Sequence, residues 1–190
     1  MLSERYLLEC DYCGQKSPFT APACVQCNRD YKFFTQPVET WDSDQLYRWL
    51  YSQHYQIYET VQASGGTHTL TEIERMNYHI GYLEFQVLNG GIHQYFFNPS
   101  GPTAPACVEL LKKIKARRWA ALLSSYLKAF PQKLPPQSME ERNKHLEAIP
   151  RWRQIWLDWR EHRLVQPEPP PESLPLLLAR YVASHRDGSA

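Results

Sequence analysis

From residue 42 to residue 185, apolar residues recur every three or four positions with polar residues between them. That is the period of helices with one buried face. Leu46, Trp49, Leu50, Ile57 and Val61 mark a first helix, which Asp42 or Ser43 can cap. Residues 63–67, with two glycines, read as a loop. Ile73, Met76, Ile80, Leu83 and Val87 mark a second helix. Thr71 and Glu74 open it as a capping box, and it is expected to end at Asn89. Thr103 and Pro105 open a third, carrying Cys107, Leu110, Leu111 and Ile114. Trp119, Leu122, Leu123, Tyr126, Leu127 and Phe130 form the next stripe, roughly a third of a turn out of phase with the third. A break or bend is therefore expected at residues 115–117. Past a connector at 131–136, residues 139–149 and 151–165 read as two more helices divided by Pro150. Ile155, Trp156 and Trp159 make one face of the second sticky. Residues 167–171, proline at every position but Glu168, read as a stiff extended spacer. Ser173 caps a last helix with Leu174, Leu177, Leu178 and Tyr181 on its apolar face. No strand pattern is found in residues 41–185.

The pattern is interrupted most sharply at residues 88–101. Two glycines, Gly90 and Gly91, follow a long helical run, where a glycine ends a helix most easily. Ile92, Tyr95, Phe96 and Phe97 then form a short, largely aromatic plug, and residues 98–101 close it as a turn. Asn89, Gln94 and Asn98 are expected to be buried there, hydrogen-bonded, and to tie the plug to neighbouring helix ends. The stretch reads first as a structural corner and second as a ligand or partner site.

The run Leu70-Thr71, Glu74-Arg75, Leu83-Glu84, Val87, Asn89-Gly90-Gly91, Gln94-Tyr95-Phe96, Asn98 and Gly101 resembles the signature of a family of all-helical bacterial domains. That family is named after a DNA-mimic protein, and most of its members have no assigned function. The resemblance covers about residues 41–185 and implies a helical fold. Leu111 and Ile114 match the family's next helix, but Lys115-Ala116 stands where the family usually has Gly-Ala. DNA mimicry needs rows of carboxylates. The net charge here is +1, so the mimic function is not carried over.

Residues 1–35 follow a different logic. Cys10-Asp11-Tyr12-Cys13 and Cys24-Val25-Gln26-Cys27 give two C-x2-C knuckles, each able to present two thiolates. Together they complete a tetrahedral all-sulfur shell with no open position, as in structural zinc sites. One structural Zn²⁺ per chain is expected, bound by Cys10, Cys13, Cys24 and Cys27. Iron fits the same four thiolates, and disulfides or free thiols are the alternatives. The expected architecture is thus a small four-cysteine zinc ribbon (1–35), a linker (36–41) and an all-α domain (42–186).

Apolar residues make up 43% of the 190, enough for a folded core. No apolar run approaches the ~20 residues of a membrane span, and the first residues lack a signal peptide's apolar stretch, so the expected location is the cytoplasm. Charge is unevenly spread: residues 41–111 are net −5 and residues 112–165 net +8. Lys112, Lys113, Lys115, Arg117 and Arg118 form the densest basic run, able to neutralise several phosphates, with Trp119 beside them to stack on a base. A solvated helix face is the plainer reading. No nucleophile elbow, phosphate loop or dinucleotide fingerprint is present, and Cys107 reads as a small core residue. His79, His93 and Glu84 form a weak second metal set. The expected function is a non-enzymatic, zinc-binding protein-interaction module. The alternative is nucleic-acid binding through the ribbon and residues 112–118.

Overall fold

The computed structural model describes residues 7–10, 12–18, 26, 27, 29, 36–165 and 172–186. Cys24 and the proline-rich spacer at 167–171 lie outside the described residues. Two short strands, β1 (Leu7–Glu9) and β2 (Lys16–Pro18), pair antiparallel with Leu8 opposite Ser17. Seven helices follow among the described residues: α1 (Ser43–Ser64), α2 (Glu72–Phe97), α3 (Ala104–Lys113), α4 (Arg117–Leu127), α5 (Met139–Glu147), α6 (Arg151–Val165) and α7 (Leu174–Arg186). The domain is all-α.

The chain divides into two compact units, one of residues 1–78 with 178–190, the other of residues 79–177. In the first unit, Asp42 caps α1 in a box with Gln45, each accepting a backbone N–H from the other residue. Ile57, Val61 and Leu70 pack together with Tyr78 against them. The expected box at α2 is formed: the Thr71 N–H donates to Glu74 Oε2 at 2.8 Å and the Glu74 N–H to Thr71 Oγ1 at 3.3 Å. The 63–67 loop is shorter than expected, because α1 runs on to Ser64.

In the second unit, α3 packs on α4 and α4 on α6. Ile80, Leu83, Ile92, Tyr95, Phe96, Cys107, Leu111, Leu122, Leu123, Tyr126 and Leu157, from four helices, are among its fully buried side chains. Phe96 sits among aromatic rings, 5.2 Å from Phe130 and 5.6 Å from Tyr95 between centroids.

The phase change between the third and fourth stripes is a real break. After α3, the Lys115 N–H donates to Lys112 O (3.0 Å) and the Ala116 N–H to Leu111 O (2.9 Å). Those two bonds define a Schellman ending, whose pivotal residue lies in the left-handed region. The pivot is Lys115, with φ 64°. A Cβ there crowds the backbone, and a glycine would not. Lys115→Gly is therefore expected to stabilise the chain by about 1 kcal/mol, although it removes a charge and shortens a side chain. Urea unfolding of the two proteins checks this; a lower midpoint for the glycine variant would contradict it.

Candidate functional site

The corner at residues 88–101 is a broken helix. α2 runs through it, but Gly90 (φ −170°, ψ 23°) and Gly91 (φ 76°, ψ −175°) leave the helical region. The expected stop at Asn89 is thus an interruption, and the aromatic plug is itself a short helix, residues 92–97. A break exposes amides on one side and carbonyls at the far end of the new segment. Two side chains from distant positions satisfy them. Glu161 Oε1 accepts the Ile92 N–H at 3.1 Å. At the other end, Arg142 donates from Nε to Phe96 O (2.6 Å) and from Nη2 to Phe97 O (3.3 Å) and Asn98 O (3.0 Å). Its Nη1 reaches Pro136 O (2.8 Å) and Gln137 O (2.6 Å). Arg142 is buried, yet each donor has found a carbonyl. Gly101 makes room for it, since a Cβ there would stand 2.6 Å from Arg142 Nε and 2.7 Å from Phe96 O.

The amides expected at the corner are placed unevenly. Asn98 donates from Nδ2 to Gln86 Oε1, as a tie between helix segments should. Gln94 lies half-buried against Gly90, where an added Cβ would meet its own Cβ at 3.0 Å. Asn89 is exposed and donates to Phe85 O one turn back, so its expected burial is corrected. Asn89 stands before the break, two residues and so about 200° around the helix from buried Val87, on the side that faces solvent.

Beside the break lies a cleft of about 380 Å³, lined among others by Gly91, His93, Asp158, Glu161 and His162. A polar chain runs along it. The Tyr126 hydroxyl stands 3.4 Å from both Asp158 Oδ1 and Glu161 Oε2. Gln154 Nε2 is 2.6 Å from Asp158 Oδ1 and 2.8 Å from His93 Nε2. Burial raises the Glu161 pKa above the usual 4.5, and the charge of Asp158 adds to this, although the Ile92 N–H and the Tyr126 hydroxyl oppose it. Burial likewise raises the Tyr126 phenol. Sequence reasoning missed Glu161 and Arg142, because their partners are 69 and 46 residues away. The pairing of His79, His93 and Glu84 is not made: His79 and Glu84 are buried, His93 is exposed, and the three form no metal-ligating group among the described residues.

The described cysteines of the N-terminal module do converge. The sulfurs of Cys10, Cys13 and Cys27 lie within 4.8 Å of one another. Cys10 Sγ and Cys27 Sγ are 3.7 Å apart, too far for a disulfide. Zn–S bonds of about 2.3 Å in a tetrahedron put sulfurs roughly 3.8 Å apart, so this edge has the length a metal requires. The first knuckle is folded for that purpose. The Gly14 N–H donates to Cys10 O (2.9 Å) with Gly14 at φ 68°, and the Tyr12 N–H points at Cys10 Sγ (3.4 Å). Three sulfurs are thus in place to bind a metal ion. Cys24, the fourth expected ligand, lies outside the described residues. Cys107, by contrast, is fully buried with its thiol pushed up to about 12, the inert core residue expected.

Lys112, Lys113, Lys115, Arg117 and Arg118 all lie on the exposed surface around the α3–α4 break. Lys112 pairs with Glu109 at 2.7 Å. The amides at the start of α4 are taken: Glu172 accepts the Arg118 N–H at 2.9 Å and lies 3.4 Å from the Trp119 nitrogen. Trp119 does not stand ready to stack on a base. It is buried, and its Nε1–H donates to Glu172 O at 2.9 Å.

Fold and site together define an all-helical domain with a broken-helix corner, preceded by a metal-competent cysteine cluster. The sequence profile of the DMP19-like protein family matches residues 68–185, more than half of the chain, and the chain belongs to that family. No curated protein and no solved structure matches it.

Two measurements test the corner. An ideal Cβ on Gly91 would sit 2.5 Å from Glu161 Oε1, whereas one on Gly65, with nearly the same φ of 72°, meets nothing within 4 Å. Gly65→Ala, in the left-handed helical region, is thus expected to cost about 1 kcal/mol, and Gly91→Ala at least about 1 kcal/mol more, because its ψ of −175° lies in a region reserved for glycine and its Cβ meets Glu161. Equal losses would show that neither the backbone at Gly91 nor Glu161 constrains the break. The second measurement is pH dependence. Because the folded pKa of Glu161 is raised, the folded state holds its proton more tightly than the unfolded chain. Stability from this group is full below 4.5 and falls as pH rises through the folded value. The stability of wild type minus that of Glu161→Gln should therefore fall as pH rises from 4.5, by no more than about 1.4 kcal/mol per unit. A signed difference that rises with pH would reverse the assignment.

Proposed function

We propose that this protein is a non-catalytic, metal-stabilised interaction module whose partner is another protein. The observation that carries the reading is the outer face of α6. Trp152, Ile155, Trp156 and Trp159 are 73%, 60%, 45% and 53% exposed and follow one another at helical spacing. Isolated exposed apolar residues need no explanation, but a contiguous ridge of three indoles and an isoleucine marks a binding surface. In the cysteine cluster, Cys10, Cys13, Cys24 and Cys27 hold one Zn²⁺ in a closed shell. The metal supplies folding energy on the order of 10 kcal/mol to a module too small for a core. Among the described residues, no helix is long and apolar enough to cross a membrane.

Nucleic-acid binding through residues 112–118 is the second reading. Their exposure favours it. The occupied amides of α4 and the buried Trp119 weigh against it.

Elemental analysis of the purified protein should give one zinc per chain, and Cys13→Ser should lower that content. Metal-free protein with fully reactive thiols would refute the metal reading. Titration of labelled oligonucleotides at physiological salt should give a Kd no tighter than the ~10⁻⁴–10⁻⁶ M of non-specific contacts. Capture of partners from the native cell should survive nuclease. Submicromolar nucleic-acid affinity, or capture lost on nuclease treatment, would install the second reading.

A further inference from the structure

Accepting the protein-interaction reading, we propose that the outer face of α6 docks an acidic amphipathic helix of its partner, with indoles reading the apolar stripe and arginines the flanking carboxylates. The ridge from Trp152 to Trp159 rises about 10 Å along α6, the length of two helical turns. Partner helices are read by apolar anchors at i, i+3, i+4 and i+7, and this ridge has that same spacing.

Arginines stand against the indoles of the ridge, and the nearest acid, Asp158, is exposed but held by Gln154. Arg163 lies over the Trp159 ring at 4.9 Å and Arg160 over Trp156 at 4.7 Å, measured to the centroids. A hollow of about 290 Å³ opens at the end of the ridge among Arg118, Trp159, Arg160, Arg163 and Leu164. Three arginines thus line one hollow together with one indole. The two acids of α6 are engaged elsewhere. Glu161 holds the Ile92 N–H, and Asp158 accepts from Gln154 and lies beside Tyr126. The stretch 112–165, which contains this face, is net +8. Apolar anchors between arginines complement a helix whose apolar stripe is bordered by Glu and Asp.

Nucleic acid fits less well. Trp156 and Trp159 each already carry a guanidinium on one ring face, and bases need open faces in succession. Ile155, at the middle of the ridge, offers no ring to stack on. A second copy of this chain would have to present an acidic amphipathic helix. Of the helices here, α1 opens with Asp42 and Asp44 but has no acid after them until Glu59.

The test uses the full-length, metal-loaded protein and two synthetic helical peptides. Both carry Leu at i, i+3, i+4 and i+7; one has Glu at the flanking positions, the other Lys. Tryptophan fluorescence should report saturable binding of the Glu peptide, with a Kd on the order of 10 μM. Binding should weaken with salt and be at least about tenfold weaker for the Lys peptide. Trp152→Ala with Ile155→Ala should cost at least about tenfold in affinity, without loss of helical circular dichroism, because both side chains are exposed. Arg160→Glu with Arg163→Glu should remove the preference for the Glu peptide. Several results would overturn the proposal: equal affinity for both peptides, no saturation by the Glu peptide, or tighter binding of a single-stranded oligonucleotide that the Trp152/Ile155 variant loses. Sedimentation showing a dimer that the same variant dissolves would assign the face to a second copy and equally overturn it. If nuclease-resistant capture persists in that variant, the interaction reading stands while this surface is wrong. If capture needs nucleic acid, the interaction reading itself falls.

Discussion

The second unit of this chain depends on six residues that would not hold a helix by themselves. Residues 92–97 follow a break and span fewer than two turns, well below the length at which isolated helices persist. They nevertheless carry Ile92, Tyr95 and Phe96, all fully buried. The segment is fixed by side chains at its two ends. The Glu161 carboxyl accepts from its first amide, and a guanidinium, Arg142, donates to its last carbonyls. At the carbonyl end, the guanidinium has the sign that the helix dipole favours. The backbone groups freed by the break are thus satisfied from α5 and α6, which fixes those helices relative to the aromatic cluster. Gly91 and Gly101 are the openings through which the two side chains approach.

Much of this was legible in the sequence where the cause is local. Asp42, Thr71 and Ser173 cap the helices that follow them, and each acts within three residues of itself. The out-of-phase stripes on either side of Lys115 give a break, and the Schellman ending stands there. The two C-x2-C pairs give a cluster, and three of its sulfurs converge. What remained hidden acts at long range or depends on burial. Glu161 reads as one more charge on a polar helix until Ile92 is seen opposite it. Arg142 reads as a surface arginine on α5. Asn89 was assigned by chemical type, an amide to the interior, and its helical phase puts it outside. Trp119 heads the apolar stripe in which the sequence places it, and its indole is held by Glu172 O and is not open to a base.

The same distinction explains α6. By composition it is a helix with three tryptophans and an isoleucine, which ought to be its core face. Instead the helix buries Leu157 and Leu164 and leaves the indoles outside. Its attachment relies on polar ties. Glu161 reaches Ile92, Arg153 donates to Ser125 O at 2.8 Å, and Arg160 donates to Ser125 Oγ at 3.2 Å. Apolar burial is the larger stabilising term in most helices. A helix that forgoes it on its most apolar side, and is held by hydrogen bonds on the other, is being kept in register with that side free.

That arrangement also accounts for the charge. A surface rich in indole alone would associate without discrimination, because apolar burial has no direction. Setting guanidiniums over the rings and at the end of the ridge makes the surface selective, since it penalises any apolar partner that brings cations with it. The inner side of α6 needs an acceptor, to meet the freed amide at Ile92. One fifteen-residue helix therefore carries Glu161 toward the break and sets Arg160 and Arg163 over its indoles. The corner and the outer surface are two consequences of how that helix is turned. A change that rotated it to bury the tryptophans would withdraw Glu161 from Ile92 and undo the segment on which the aromatic cluster rests.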